Sequence, residues 1–66
     1  MVIKSIESTK GSPMKFEVGE NGVESIELTE HGGENTNIYK VTDSDGEYVY
    51  IGLIAEQERV IYENDD

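Results

Sequence analysis

Cysteine and tryptophan are absent from this 66-residue chain, proline occurs once, and five lysines and arginines face 15 aspartates and glutamates. Without cysteine there is no disulfide framework and no thiolate metal site. No apolar run approaches the roughly 18 residues that a membrane helix needs. No basic segment followed by an apolar stretch opens the chain, so no secretory signal is expected. The scarcity of basic residues excludes more. Lys4, Lys10, Lys15, Lys40 and Arg59 are scattered, and the formal net charge is −10. Such a surface repels phosphate backbones and anionic leaflets, so neither direct nucleic-acid binding nor membrane association is expected. A basic protein surface or a divalent cation is the natural complement. Solubility alone is the competing explanation of the acidity.

Hydrophobic residues make up only 35% of the chain. Two cores do not fit in this length, so residues 1–63 are expected to form one β domain and 64–66 a frayed acidic tail. A core this lean only just offsets the entropy of ordering the chain. Modest stability is expected, with salt stabilising the fold by screening self-repulsion.

What the chain does contain is side-chain alternation with a period of two. Met14, Phe16 and Val18 alternate with Lys15 and Glu17, and Ile26 and Leu28 alternate with Ser25, Glu27 and Thr29. This pattern predicts half-buried strands near 2–8, 14–18, 23–30, 37–42, 47–54 and 59–63. Turn chemistry separates them: Lys10-Gly11-Ser12-Pro13, Gly19-Glu20-Asn21-Gly22, His31-Gly32-Gly33-Glu34-Asn35 and Asp43-Ser44-Asp45-Gly46. Ala55-Glu56-Gln57-Glu58 reads as a loop or a single helical turn. The expected fold is all-β, a small antiparallel meander of five or six strands, rolled or barrel-like. Tyr48-Val49-Tyr50-Ile51-Gly52-Leu53-Ile54 is apolar on both faces. It reads as a central strand, or as one covered by another element or another chain. Gly52 within it suggests a bulge or bend.

Catalytic and metal-binding patterns are weak. Counted as a calcium loop from Asp43, position 6 is Tyr48 and position 12 is Ile54, so the glycine is early and the bidentate glutamate is missing. Asp-Ser-Asp-Gly is better explained as a tight turn. His31 has no hydroxyl placed beside it for nucleophilic chemistry. Gly32-Gly33 is not followed by the lysine and hydroxyl of a phosphate loop. Paired-carboxylate hydrolysis needs a cleft that desolvates one acid. No enzymatic activity, cofactor or metal is expected.

The binding residues are sought among tyrosines and carboxylates. Tyr48 and Tyr50 share a strand face, and Tyr62 falls in a strand that could neighbour it; Tyr39 is the fourth tyrosine. On strands such residues serve as core and cross-strand pairs, or as an interface hot spot. Asp43, Asp45, Glu47, Glu56 and Glu58 would rim them. Alternate residues of a strand lie roughly 6.8 Å apart, close to the phosphate repeat of a nucleic-acid strand. Carboxylates drawn from Glu17, Glu20, Glu24, Glu27, Asp43, Asp45, Glu47, Glu56, Glu58 and Glu63 could therefore imitate a phosphate array.

At Gly22-Val23-x-x-Ile26-Glu27, Tyr39-Lys40-Val41 with Asp45-Gly46, and Arg59-Val60-Ile61-Tyr62-Glu63, the chain resembles small acidic β-proteins encoded by phages and prophages. The resemblance implies a host-cytoplasmic setting and a protein-binding role, and acidic members include DNA mimics. Together these readings describe a non-enzymatic module that binds and occludes a basic host protein, such as a nucleic-acid enzyme. Its surface would be Asp43, Asp45, Glu47, Glu56, Glu58, Glu63, Glu24 and Glu27 with Tyr48, Tyr50 and Tyr62. The alternative is a self-associating structural or accessory protein, dimeric through a sheet edge.

Overall fold

The computed structural model describes residues 2–11 and 14–63. Six strands follow in order: β1 (Val2–Ser8), β2 (Met14–Glu17), β3 (Val23–Leu28), β4 (Thr36–Asp43), β5 (Tyr48–Ile54) and β6 (Glu58–Glu63). A single 3₁₀ turn, Ala55–Gln57, joins β5 to β6. The all-β reading holds, with six antiparallel strands close to the positions that alternation marks. They divide into two three-stranded sheets, ordered β2-β1-β6 and β3-β4-β5, and do not close into a barrel. Part of the Lys10–Pro13 turn and the 64–66 tail lie outside the described residues.

The turns act as their residue types require. Asn21 and Gly22 both have positive φ, 51° and 80°. The Val23 N–H donates to the Glu20 carbonyl across them, at 3.0 Å. That turn carries the chain from one sheet to the other, because β2 pairs with β1 and β3 with β4. At the β4–β5 hairpin, Gly46 takes φ 86°. The Asp43 carboxylate accepts from the Asp45 and Glu47 N–H groups at 2.8 and 3.0 Å. The Asp-Ser-Asp-Gly segment is thus a self-capped turn.

Two sequence expectations are corrected here. The 48–54 run is not a central strand: β5 forms the edge of its sheet, beside β4. In a three-stranded meander the middle segment is central by connectivity, and that segment is β4. Nor is there a bulge at Gly52, since β4 and β5 stay in register from Thr36↔Ile54 to Thr42↔Tyr48. The irregularities lie instead between Ile3 and Ser5 in β1 and between Val23 and Ser25 in β3.

The core sits between the sheets. Ile3 and Ile6 enter from one side, and Ile26, Tyr39, Val41 and Leu53 from the other. Phe16, Val18, Val23, Ile51 and Val60 pack around them, partly buried. Among the described residues Ile6 is the most enclosed, at 1% exposure.

Two glycines give opposite expectations. A methyl group at Gly32 would collide with the backbone carbonyl oxygen of Thr36, which accepts the Gly33 N–H. Gly32→Ala should therefore destabilise by about 1–3 kcal/mol, as overpacking against backbone does. At Gly52 a methyl group would make ordinary contacts with Thr36 Cγ2 at 3.7 Å and Ile38 Cγ1 at 4.0 Å. Gly52→Ala should leave stability unchanged or raise it by about 0.5–1 kcal/mol, because it restricts the unfolded chain. Urea titration of both variants checks the pair.

Candidate functional site: a tyrosine face on the β3-β4-β5 sheet

Strand pairing fixes which residues share a face, because cross-strand partners point the same way. On β3-β4-β5, Ile26 pairs with Val41, and Tyr39 with Ile51; these side chains face the core. The intervening residues face outward. Glu27 stands opposite Lys40, Lys40 opposite Tyr50, Thr42 opposite Tyr48, and Thr36 opposite Ile54. The outer face thus carries Tyr48, Tyr50 and Ile54 on β5, Ile38 and Lys40 on β4, and Glu27 on β3.

The aromatic rings are organised. Tyr48 and Tyr50 meet edge to face, with centroids 5.5 Å apart and planes at 77°. His31, from the β3–β4 loop, meets Tyr50 in the same way at 6.0 Å and 86°. Lys40 Nζ lies 4.4 Å from the centre of the Tyr48 ring, in cation–π range. Tyr48 and Tyr50 remain 53% and 52% exposed, so the pair is held in place without being covered. A half-buried stem and a free phenol tip suit a recognition surface.

Carboxylates gather at both ends of this sheet. The Ser44 N–H donates to the Gly22 carbonyl at 3.0 Å and draws two turns together. Asp43, Asp45 and Glu47 are therefore near Glu24, at the start of β3. Asp43 spends one carboxylate oxygen on the turn amides; Asp45, Glu47 and Glu24 are exposed. At the opposite end, the Ala55 N–H donates to the Asn35 carbonyl at 2.7 Å. That bond brings the exposed Glu34 and Glu56 to the far end of β5.

Three of the candidate residues lie elsewhere. Glu58 turns inward and links the sheets. Its Oε1 and Oε2 accept from the Tyr39 hydroxyl at 3.0 and 2.9 Å, and Oε1 also accepts from Asn37 Nδ2 at 3.0 Å. Tyr39 is buried, at 2% exposure. Burial first, and the Glu58 carboxylate second, push its phenol pKa well above the ordinary value of 10. Tyr62 does not neighbour Tyr48 and Tyr50, because β6 pairs with β1: Tyr62 stands opposite Ile3 and Glu63 opposite Val2. Tyr62 lines a hollow between the sheets with Val2, Ile3, Ile26 and Leu28.

His31, Ile38, Lys40, Ile54 and Glu34 belong to the face or its ends but were not singled out as binding residues. The signal was present for Lys40. A hairpin turn at Asp43–Gly46 fixes the β4–β5 register, and counting back from it sets Lys40 opposite Tyr50. His31 offered no such signal, since its contact depends on the path of a loop.

The class that this geometry defines is a small two-sheet β module with one aromatic, half-open sheet face. No family model matches the chain, nor does any curated protein or solved structure.

Proposed function

We propose that this protein is a non-enzymatic protein-binding module. Its tyrosine face docks on a basic protein surface, and the carboxylates at both ends of the β3-β4-β5 sheet meet lysines and arginines of that surface. The observation that carries the reading is the Tyr48–Tyr50 pair: two rings locked edge to face, half exposed, on an unobstructed sheet face. Exposed aromatics held in a fixed geometry give contact area at low entropic cost, and tyrosine is enriched at binding hot spots. The net charge of −10 sets a fast encounter with a cationic partner, and tyrosine burial sets the lifetime.

A groove-binding nucleic-acid enzyme is one basic partner that fits, and occlusion is then the effect. The resemblance to phage-encoded β-proteins agrees with that setting. The carboxylates are split between the end turns and both outer faces. They act here as flanking charges on an aromatic face more than as a phosphate-like row along one strand.

The test compares the wild-type chain with a Tyr48→Ala/Tyr50→Ala variant as bait for basic proteins of a host lysate. The expected result is a discrete partner that the variant retains at least about tenfold less well. That partner should be released between about 50 and about 500 mM salt. Equal retention by the variant, or release that ignores salt, overturns the reading.

A further inference from the structure

Two three-stranded sheets have four outer edges, on β2, β6, β3 and β5. Sheet edges are normally protected against pairing by shortness, charge or bulges. β2 has four residues, two of them Lys15 and Glu17. β6 carries Glu58, Arg59 and Glu63. β3 carries Glu24 and Glu27 and an irregular register between Val23 and Ser25. β5 has none of these devices: it is seven residues long, uncharged, free of proline and in unbroken register with its neighbour.

The alternation of an antiparallel ladder fixes what that edge offers. The Asp43 N–H bonds the Glu47 carbonyl, and the Ala55 N–H bonds the Asn35 carbonyl. Odd-numbered residues of β5 therefore direct their N–H and C=O groups to β4. Tyr48, Tyr50, Gly52 and Ile54 direct theirs away from the sheet. Among the described residues, Tyr48, Tyr50 and Gly52 make no backbone bond on that outer side, whereas Ile54 caps the 3₁₀ turn with its carbonyl and offers the edge its N–H alone. The same four positions form the outer tyrosine face. Gly52 leaves an open slot between Tyr50 and Ile54, floored by Thr36 and Ile38.

We propose that β5 is a strand-addition site for an extended segment of a basic protein. The segment adds a fourth strand to the β3-β4-β5 sheet, with one large side chain in the Gly52 slot and lysines or arginines at both ends. This rests on the proposed basic partner and states how it binds. The choice of occupant follows from charge. The uncharged edge spans about 24 Å at roughly 3.4 Å per residue. It is bracketed by Asp45 and Glu47 at one end and by Glu34 and Glu56 at the other. A second copy pairing about Ile51 would bring the Glu47 end of each chain onto the Glu56 end of the other, between two molecules of charge −10. A segment with cationic ends meets attraction where a second copy meets repulsion, while main-chain bonds supply affinity and the slot supplies selectivity.

The probe is a blocked nine-residue peptide with two lysines at each end and a Val-Thr-Phe-Thr-Val centre. It is titrated into the full chain, labelled with ¹⁵N. Saturable binding is expected, with the amides of Tyr48, Tyr50, Gly52 and Ile54 gaining exchange protection together. Methylating alternate peptide nitrogens, so that they cannot donate to the edge, should weaken binding by about tenfold or more. Replacing the lysines with glutamates should abolish saturation. Gly52→Pro should also weaken binding, since it removes an outward N–H and leaves the β4 ladder intact. The methylated peptide keeps the test independent of whether that variant folds.

If methylated and unmethylated peptides bind equally, strand addition is overturned and the basic-partner reading stands. If neither lysine-bearing peptide binds, both fall. A dimer whose β5 amides are already protected overturns the peptide site in favour of a second copy.

Discussion

Ile6→Ala should lower the melting temperature by roughly 15–20 °C, since a loss of about 3 kcal/mol moves a domain of this size by several degrees per kcal/mol. Ile6 is the most enclosed side chain, at 1% exposure, and it lies where β1 crosses the opposite sheet. Truncating a buried isoleucine typically costs about 2–5 kcal/mol, part of it as cavity. A 66-residue domain has about 3–10 kcal/mol in total. The variant should be partly unfolded at 37 °C by circular dichroism. Ile61→Ala is the contrast: Ile61 is on the outer face of its sheet at 40% exposure, and its truncation should cost less than about 1 kcal/mol. Equal losses at the two positions would contradict the placement of the core.

The second large effect concerns the bond between the sheets. Glu58→Ala should destabilise by about 2–4 kcal/mol, because it strips the buried Tyr39 hydroxyl and the Asn37 amide of their shared acceptor. Tyr39→Phe removes a bond to a charged group and should cost about 1.5–3 kcal/mol.

The phenol adds a pH signature. Its folded pKa is raised above the unfolded value of 10, by burial first and by the Glu58 carboxylate second. Below pH 10 both states hold the proton, and the contribution of this bond to stability is complete. Above pH 10 the unfolded chain releases the proton while the folded chain retains it. Stability then falls as pH rises, by up to about 1.4 kcal/mol per pH unit. Tyr39→Phe should lose that portion of the alkaline slope. Urea titrations from pH 8 to about pH 11.5 measure it, and parallel slopes in wild type and variant would remove the phenol from the account. Its bonds to Tyr39 also set Glu58 apart from the exposed carboxylates at the two ends of the β3-β4-β5 sheet.

Much of the fold was legible from alternation and turn chemistry, because both are local. Phe16 between Lys15 and Glu17, and Ile26 between Ser25 and Glu27, mark strands whichever sheet they join. Asn21-Gly22 and Asp43–Gly46 mark turns because few other residues accept positive φ. Sheet partnership was not legible, because it depends on which strands meet after the chain has turned. The apolar 48–54 run fits a central strand as well as one covered by another element or another chain, and only the strand order shows that it is an edge. A strand buried on both faces and an edge strand with an open apolar face share one sequence signature. Sequence composition sets Glu58 on the acidic rim of the tyrosines, although its spacing from Val60 puts both on the inward face of β6. In a sandwich this thin, an inward carboxylate near a strand end can reach the far sheet.

Amide hydrogen exchange along β5 tests most directly the claim that this strand is an open edge bearing the tyrosine face. In the free protein, Val49, Ile51 and Leu53 should exchange slowly, while Tyr48, Tyr50, Gly52 and Ile54 exchange at nearly the rate of unstructured chain. Uniform protection across all seven residues would place β5 inside a sheet or an assembly and contradict the account.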